Sequence, residues 1–172
     1  MSERGRYLAN LDLLTLSERL GRLCRDRGIA VSCAESCTGG GVASAITAVA
    51  GSSDYFETGY VTYSNGAKTR LLGVPEALLA AQGAVSRPVV EAMVAGACRD
   101  SGAALGVAIS GVAGPGGGSA DKPVGTVWFA WGDAQAQQAE RHHLPGDRRA
   151  VREQAVRIAL IGLIQRLESS EE

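Results

Sequence analysis

The spacing of apolar residues near the start of the chain changes from a helical period to a continuous run. Leucines recur at three- and four-residue steps between residues 10 and 27, which predicts an amphipathic helix that ends at Gly28. Residues 29–34 form a short apolar run with β-branched members, which is typical of a buried strand. A glycine-rich turn and a small-residue helix over residues 42–49 complete a strand–loop–helix unit.

The same alternation of helices and strands continues to the end of the chain. Residues 124–131 are apolar on both alternating faces, which predicts a central strand covered on both sides. Asn65 and Asp147 are the expected caps of a short helix and of the long last helix. The strands are predicted at residues 29–34, 58–64, 105–110, 124–131 and 139–144. Because one hairpin follows the alternating units, we expect a three-layer α/β/α sandwich with a mixed sheet.

The length of 172 residues fits one domain. We expect this domain to span residues 11–168, with an N-terminal extension at residues 1–10 and a frayed tail at residues 169–172. The 17 basic and 18 acidic residues nearly balance, which argues against a nucleic-acid partner. The chain has no apolar export signal or membrane-length apolar stretch, and its four cysteines form no metal-binding pair. These features predict a cytoplasmic protein without disulfides or membrane contact.

Two loops, at residues 35–41 and 111–118, follow the carboxyl ends of predicted strands, where α/β sheets bind ligands. The first loop opens a helix, whose unpaired N–H groups are expected to bind an anion such as phosphate. The alternative is a plain turn that needs glycine for its backbone conformation. Neither loop matches the patterns that bind nucleoside triphosphates or dinucleotides.

Three adjacent residues of the first loop are candidate nucleophiles: Ser36, Cys37 and Thr38. A thiol at a helix N-terminus is activated by a lowered pKa, whereas a serine needs a separate base. The alternative is that Ser36 and Thr38 only cap the helix. Lys68 lies in the first turn of the next helix, where a cation is disfavoured, and it is therefore a candidate base for a serine. Without such a partner, Lys68 is an ordinary surface lysine.

The remaining polar candidates are less informative. The adjacent His142 and His143 point to opposite faces of a strand, so they do not bind one metal together, and no zinc site is expected. A Ser-His-Asp triad is an alternative that no motif supports. Arg148, at the start of the last helix, is able to bind a phosphate or to remain solvated. Glu35 is expected to be a structural partner within its loop.

Six motifs in order give the chain a resemblance to a known family. The motifs are AESCTGG (34–40), GSS (51–53), VTYSN (61–65), GAVS (83–86), SGVAGP (110–115) and KPVGTV (122–127). Together they resemble the CinA C-terminal domain family, and in particular its stand-alone amidase members, over residues 11–167. The N-terminal molybdopterin-binding-like domain of longer members has no counterpart in the matched region.

The resemblance implies hydrolysis of nicotinamide mononucleotide to nicotinate mononucleotide and ammonia, a step of pyridine nucleotide salvage. It implies Ser36 as the nucleophile, with Tyr63 and Lys68 as the groups that activate it. The residues that it implies for substrate binding are Thr38, Gly39, Gly40, Asn65, Ser110, Gly111, Gly114 and Arg148. It also implies a homodimer that needs no metal and no cofactor.

Two other functions are compatible with the sequence. One is a non-enzymatic ligand-sensing or interaction module linked to competence or DNA damage, as the CinA name suggests. The other is an amidase for a different small amide. The Ser36, Tyr63 and Lys68 pattern favours an enzyme over a sensing module.

Overall fold

A computed structural model describes residues 2–169 of the chain. The helices are α1 (Glu3–Ala9), α2 (Leu13–Arg27), α3 (Gly41–Thr47), α4 (Asn65–Leu72), α5 (Glu76–Gln82), α6 (Arg87–Ser101) and α7 (Arg148–Ser169), with a 3₁₀ turn at Ser52–Asp54. The strands are β1 (Val31–Glu35), β2 (Phe56–Val61), β3 (Leu105–Gly111), β4 (Thr126–Gly132) and β5 (Gln137–His143). None of the helices formed by these residues has the length and hydropathy needed to cross a lipid bilayer.

The five strands form one mixed sheet in the order β2-β1-β3-β4-β5. β1 pairs in parallel with both β2 and β3, whereas β3, β4 and β5 pair antiparallel. Glu35 at the end of β1 is in register with Val61 of β2 and Ile109 of β3. The carboxyl ends of these three strands therefore meet at one edge of the sheet, where ligands bind in folds of this kind.

Helices cover both faces of the sheet, so the predicted three-layer α/β/α architecture with a mixed sheet is confirmed. One core joins α1, α2, α3 and α7 to a sheet face that includes Phe129. The other core joins α4, α5 and α6 to the face that includes Ala130. Both of these neighbouring β4 residues are fully buried, as expected for a strand covered on both sides.

Hydrogen bonds at the helix ends explain where the boundaries differ from prediction. α2 begins at Leu13 rather than at residue 10, because the carboxylate of Asp12 accepts the N–H of Thr15 at 2.8 Å. It ends at Gly28, whose φ of +61° favours glycine. The predicted cap of the last helix is confirmed, because Asp147 accepts the N–H of Ala150 at 2.9 Å.

The segment between β2 and α4 differs from prediction. β2 ends at Val61 instead of continuing to residue 64. The cap of α4 is Ser64, whose hydroxyl accepts the N–H of Ala67 at 3.1 Å, so the prediction that Asn65 caps this helix was wrong. Tyr63 consequently lies in a short connection between the strand and the helix.

The ends of the described chain pack against each other. Leu8 of α1 is fully buried in the core that contains α7. Glu168 of α7 is 6% exposed and forms ion pairs with Arg19 and Arg4. The helix extends through Ser169, the first residue of the expected frayed tail, and residues 170–172 lie outside the described residues.

Candidate active site

A cavity of about 300 Å³ lies at the edge of the sheet where β1, β2 and β3 end. Ser36 follows β1, Ser110 and Gly111 end β3, and Lys68 enters from α4. The predicted site residues that line this cavity are Ser36, Tyr63, Asn65, Lys68, Ser110, Gly111, Gly114 and Arg148. The fold therefore collects residues from five separate segments of the chain around one opening, the fifth being Ala84 and Val85.

Ser36 and Lys68 form a buried pair inside this cavity. The Lys68 side chain is 1% exposed, and its Nζ lies 3.0 Å from the Oγ of Ser36. The same Nζ donates to the backbone carbonyls of Thr62 at 2.8 Å and Tyr63 at 3.2 Å. Carbonyl oxygens only accept hydrogen bonds, whereas a hydroxyl donates as well. A neutral amine has two N–H bonds for the two carbonyls, which leaves its lone pair for the Ser36 hydroxyl.

The surroundings of Lys68 favour this neutral form. Burial lowers the pKa of Lys68 below its ordinary value of 10.5, because the ammonium form loses its hydration, while the neighbouring Cys37 acts more weakly in the opposite direction. None of the ion pairs formed within residues 2–169 includes Lys68. A lysine with a lowered pKa beside a serine hydroxyl is a suitable general base.

Cys37, the alternative nucleophile, lies in an unsuitable environment for a thiolate. Its side chain is 6% exposed, and burial raises the pKa of the thiol to about 11. Attack requires the thiolate, which an activating site produces by lowering the thiol pKa. The geometry therefore favours Ser36 over Cys37.

The helix N-terminus that follows the loop is not an anion site. The carboxylate of Glu35 accepts the N–H groups of Val42 at 2.9 Å and Ala43 at 3.1 Å. The N–H groups of Gly41 and Ser44 bind backbone carbonyls of the same loop. The prediction of an external phosphate here was wrong, because the fully buried carboxylate already neutralises the positive end of α3. The expected structural role of Glu35 agrees with this arrangement.

The side chain of Thr38 and the residues Gly39 and Gly40 do not line the cavity with Ser36. Thr38 is 2% exposed and faces a larger groove between α2, α3 and α7. The φ values of +57° at Gly39 and +102° at Gly40 require glycine. A Cβ at Gly39 would also lie 3.3 Å from the Nη2 of Arg152. Backbone conformation and packing therefore explain these glycines without a ligand.

Tyr63 and Arg148 form a bridge at the mouth of the cavity. Tyr63 is 61% exposed, and its hydroxyl accepts a hydrogen bond from the Nη2 of Arg148 at 3.0 Å. The Nη1 of Arg148 donates to the carbonyl of Gly114 at 2.8 Å. Tyr63 thus contacts Lys68 only through its backbone carbonyl among the hydrogen bonds of residues 2–169. Its phenol belongs to the rim of the cavity.

Sequence reasoning missed Arg152, which holds the nucleophile loop from α7. Its Nε donates to the carbonyl of Cys37 at 3.0 Å and its Nη2 to the carbonyl of Thr38 at 3.4 Å. Within residues 2–169, the backbone N–H groups of Cys37 and Thr38 donate to no backbone carbonyl. The only sequence signal was its position four residues after Arg148, on the same side of a helix.

The two histidines lie outside the cavity. The Nε2 of His142 is 3.1 Å from Glu140, and that of His143 is 3.0 Å from the carbonyl of Val124. The described residues contain no group of three side chains able to hold a metal ion. This arrangement gives no support to a Ser-His-Asp triad.

Comparison with known proteins identifies the family. The model of the CinA C-terminal domain matches residues 13–167. The chain is 61% identical over 153 residues to nicotinamide-nucleotide amidohydrolase PncC of Pseudomonas putida, covering 89% of this chain and 96% of that protein. The protein of the same name from Escherichia coli (strain K12) is 52% identical over 159 residues, covering 92% and 96%. A crystal structure of a CinA superfamily protein from Klebsiella pneumoniae superposes with a TM-score of 0.89 at 40% identity, covering 92% of this chain and 99% of that one. The chain therefore belongs to the CinA C-terminal domain family.

Proposed function

We propose that this protein is an amidohydrolase that converts nicotinamide mononucleotide to nicotinate mononucleotide and ammonia, with Ser36 as the nucleophile. The observation that carries the proposal is the 3.0 Å contact between Ser36 and the buried Lys68 in a cavity open to solvent. The substrate is suggested by relatives that cover nearly the whole chain and are named nicotinamide-nucleotide amidohydrolase.

The first half of the reaction forms an acyl-enzyme. The neutral amine of Lys68 accepts the proton of the Ser36 hydroxyl while Oγ attacks the carboxamide carbon, whose oxygen becomes an oxyanion. The carbonyls of Thr62 and Tyr63 hold the two N–H groups of the amine and so direct its lone pair at the serine. The resulting ammonium then gives its proton to the leaving nitrogen, and ammonia departs.

The second half of the reaction returns the enzyme to its starting state. A water molecule gives a proton to Lys68 and attacks the ester carbon of the acyl-enzyme. The bond to Oγ then breaks, Ser36 regains its proton from Lys68, and the product leaves as a carboxylic acid that loses its proton to the solvent. Each half of the cycle leaves the charge of the Ser36–Lys68 pair unchanged, as a buried pair requires.

Backbone N–H groups stabilise the oxyanion in both halves. We assign this role to the N–H groups of Cys37 and Thr38, the two residues that follow Ser36, because neither group donates to a backbone carbonyl. One such donor contributes roughly 3–4 kcal/mol in well-characterised hydrolases.

The dimensions of the cavity suit the proposed substrate. Its volume of about 300 Å³ is at the lower end of the range for small-molecule sites, which fits the pyridine ring and its carboxamide. Arg148 at the mouth presents a planar guanidinium that is suited to bind the phosphate of the nucleotide. Tyr63 orients this guanidinium through its hydroxyl, while Asn65, Ser110, Gly111 and Gly114 shape the walls.

Ammonia release tests the substrate assignment. We expect the purified protein to release ammonia from nicotinamide mononucleotide with a higher kcat/KM than from the riboside or free nicotinamide, because only the nucleotide engages Arg148. A preference for an amide without a phosphate would contradict the substrate, and binding of the nucleotide without ammonia release would indicate a sensing module. The homodimer and the cytoplasmic location implied by the sequence stay predictions.

A further inference from the structure

Arg152 connects the longest helix to the loop that carries Ser36. It lies five residues into α7, and its side chain binds the carbonyls of both residues that follow the serine, Cys37 and Thr38. The guanidinium also packs against Gly39, where a Cβ would come within 3.3 Å of Nη2. The missing side chain at Gly39 therefore leaves room for this arginine. The φ of +57° at Gly39 is a backbone conformation that glycine adopts readily and other residues do not.

Hydrogen bonds to the carbonyls of Ser36 and Cys37 fix the directions of the Cys37 and Thr38 N–H groups. In a trans peptide the C=O and N–H point in opposite directions, and the only cis peptide within residues 2–169 precedes Pro115. The carbonyl of Cys37 points to Arg152, so the N–H of Thr38 in the same peptide points away from it. The carbonyl of Ser36 accepts the N–H of Gly39 at 3.0 Å. The N–H of Cys37 belongs to the same peptide as that carbonyl, so it points away from Gly39.

The charge of Arg152 adds to this geometric effect. A cation bonded to a carbonyl oxygen polarises the whole peptide group, and its N–H becomes a stronger donor. The positive charge of the guanidinium lies one peptide group from the Thr38 N–H, in a partly buried region where electrostatic interactions are stronger than in water.

We propose that Arg152 is a positioning residue of the oxyanion hole: it orients and polarises the Thr38 N–H directly, and it supports the Cys37 N–H through the Gly39 N–H, which holds the Ser36 carbonyl. The inference rests on the proposed function, since it assumes that Ser36 attacks a carbonyl carbon. Arg152 acts through the loop and touches neither the nucleophile nor the carboxamide. Its contribution appears in the transition state, when negative charge forms, rather than in the binding of the neutral amide.

The test replaces Arg152 with Met, which keeps an unbranched apolar stem and removes both hydrogen bonds. Arg157 of the same helix provides the matched control, because its Nη2 donates to the carbonyls of Ala9 at 3.0 Å and Leu11 at 2.5 Å, away from the cavity. We expect Arg152→Met to lower kcat by about tenfold to a thousandfold, in line with the loss of an oxyanion donor, while KM changes less than about threefold. Arg157→Met should keep kcat near the wild-type value.

A second measurement follows the reactivity of Ser36 without the amide substrate. A small fluorophosphonate phosphonylates an activated serine, and its phosphoryl oxygen occupies the oxyanion site. The labelling rate of Arg152→Met should fall in parallel with kcat, and Arg152→Lys, which keeps the charge and one hydrogen bond, should have an intermediate rate. If Arg152→Met does not fold, the Arg152→Lys variant alone must show the lowered kcat at an unchanged KM.

The outcomes separate this inference from the proposed function. Equal kcat and labelling rates for Arg152→Met and Arg157→Met, in a wild-type background that hydrolyses the nucleotide, would overturn the role of Arg152 alone. A rise in KM at constant kcat would also overturn it, because Arg152 would then act in substrate binding. A wild-type protein that neither releases ammonia nor reacts with the fluorophosphonate would overturn both proposals.

Discussion

Replacement of Lys68 by Met is the sharpest perturbation of the proposed mechanism. The two side chains have similar length, so Met fills the space left by a lysine that is 1% exposed. The change removes the amine 3.0 Å from the Ser36 oxygen and thereby the proposed acceptor for the serine proton. It also leaves the carbonyls of Thr62 and Tyr63 without this donor.

The expected loss is large because the described lining of the cavity contains no histidine, carboxylate or second lysine that could act as the base. A positioned general base contributes about 10²–10⁴-fold to the rate, which is about 2.7–5.5 kcal/mol at 1.36 kcal/mol per tenfold. Both histidines are engaged elsewhere, with Glu140 and the carbonyl of Val124. We therefore expect kcat to decrease by about 10⁴-fold, near the upper end of the range for a general base.

The chain offers a matched control, since its only other lysine is Lys122. Lys122 also donates to a backbone carbonyl, that of Gln82 at 2.7 Å, but it lies outside the lining of the cavity. Ammonia release from nicotinamide mononucleotide is measured for both Met variants, with circular dichroism to verify folding. A folded Lys68→Met protein that keeps more than a tenth of the wild-type kcat would refute a role for Lys68 as the base.

Three further predictions follow from the site. The neutral form of Lys68 is the base, so kcat/KM should rise with pH, with an inflection below 10.5 because burial lowers the pKa; a titration that places it at or above 10.5 would contradict this. Tyr63→Phe should reduce kcat at least tenfold less than Lys68→Met, since the phenol binds Arg148 rather than the catalytic pair; equal losses in steady-state assays would contradict it. Glu35→Gln should lower the free energy of unfolding in urea by about 1.5–3 kcal/mol, because one charge-assisted bond to the N-terminus of α3 is lost; an unchanged midpoint would count against this role.

The layered fold was predictable because it depends on hydrophobic periodicity alone. The change from helical spacing to an apolar run defined α2 and β1, and the double-sided apolar pattern around Phe129 placed β4 inside the sheet. The cap of α4 was not predictable from residue type, since Ser64 and Asn65 are equally suitable caps and only the path of the chain after β2 selects the serine.

The candidate site was predictable where the sequence motif and the strand ends coincide. Ser36 and Lys68 lie 32 residues apart, and their contact depends on the parallel pairing of β1 with β2. The assignment of the Thr38 side chain to the substrate cavity failed because the sequence does not show which side of the loop Arg152 occupies. The expected anion site failed for a similar reason, since the carboxylate of Glu35 turns back onto α3.

The identity of the nucleophile is tested most directly by a comparison of Ser36→Ala with Cys37→Ala. Each variant removes one candidate atom from adjacent positions of the same loop, and ammonia release from nicotinamide mononucleotide is measured for both. The account predicts that Ser36→Ala loses activity by several orders of magnitude, while Cys37→Ala keeps most of it, because its buried thiol has a pKa of about 11. Ammonia release by Ser36→Ala at the wild-type rate would contradict the central claim.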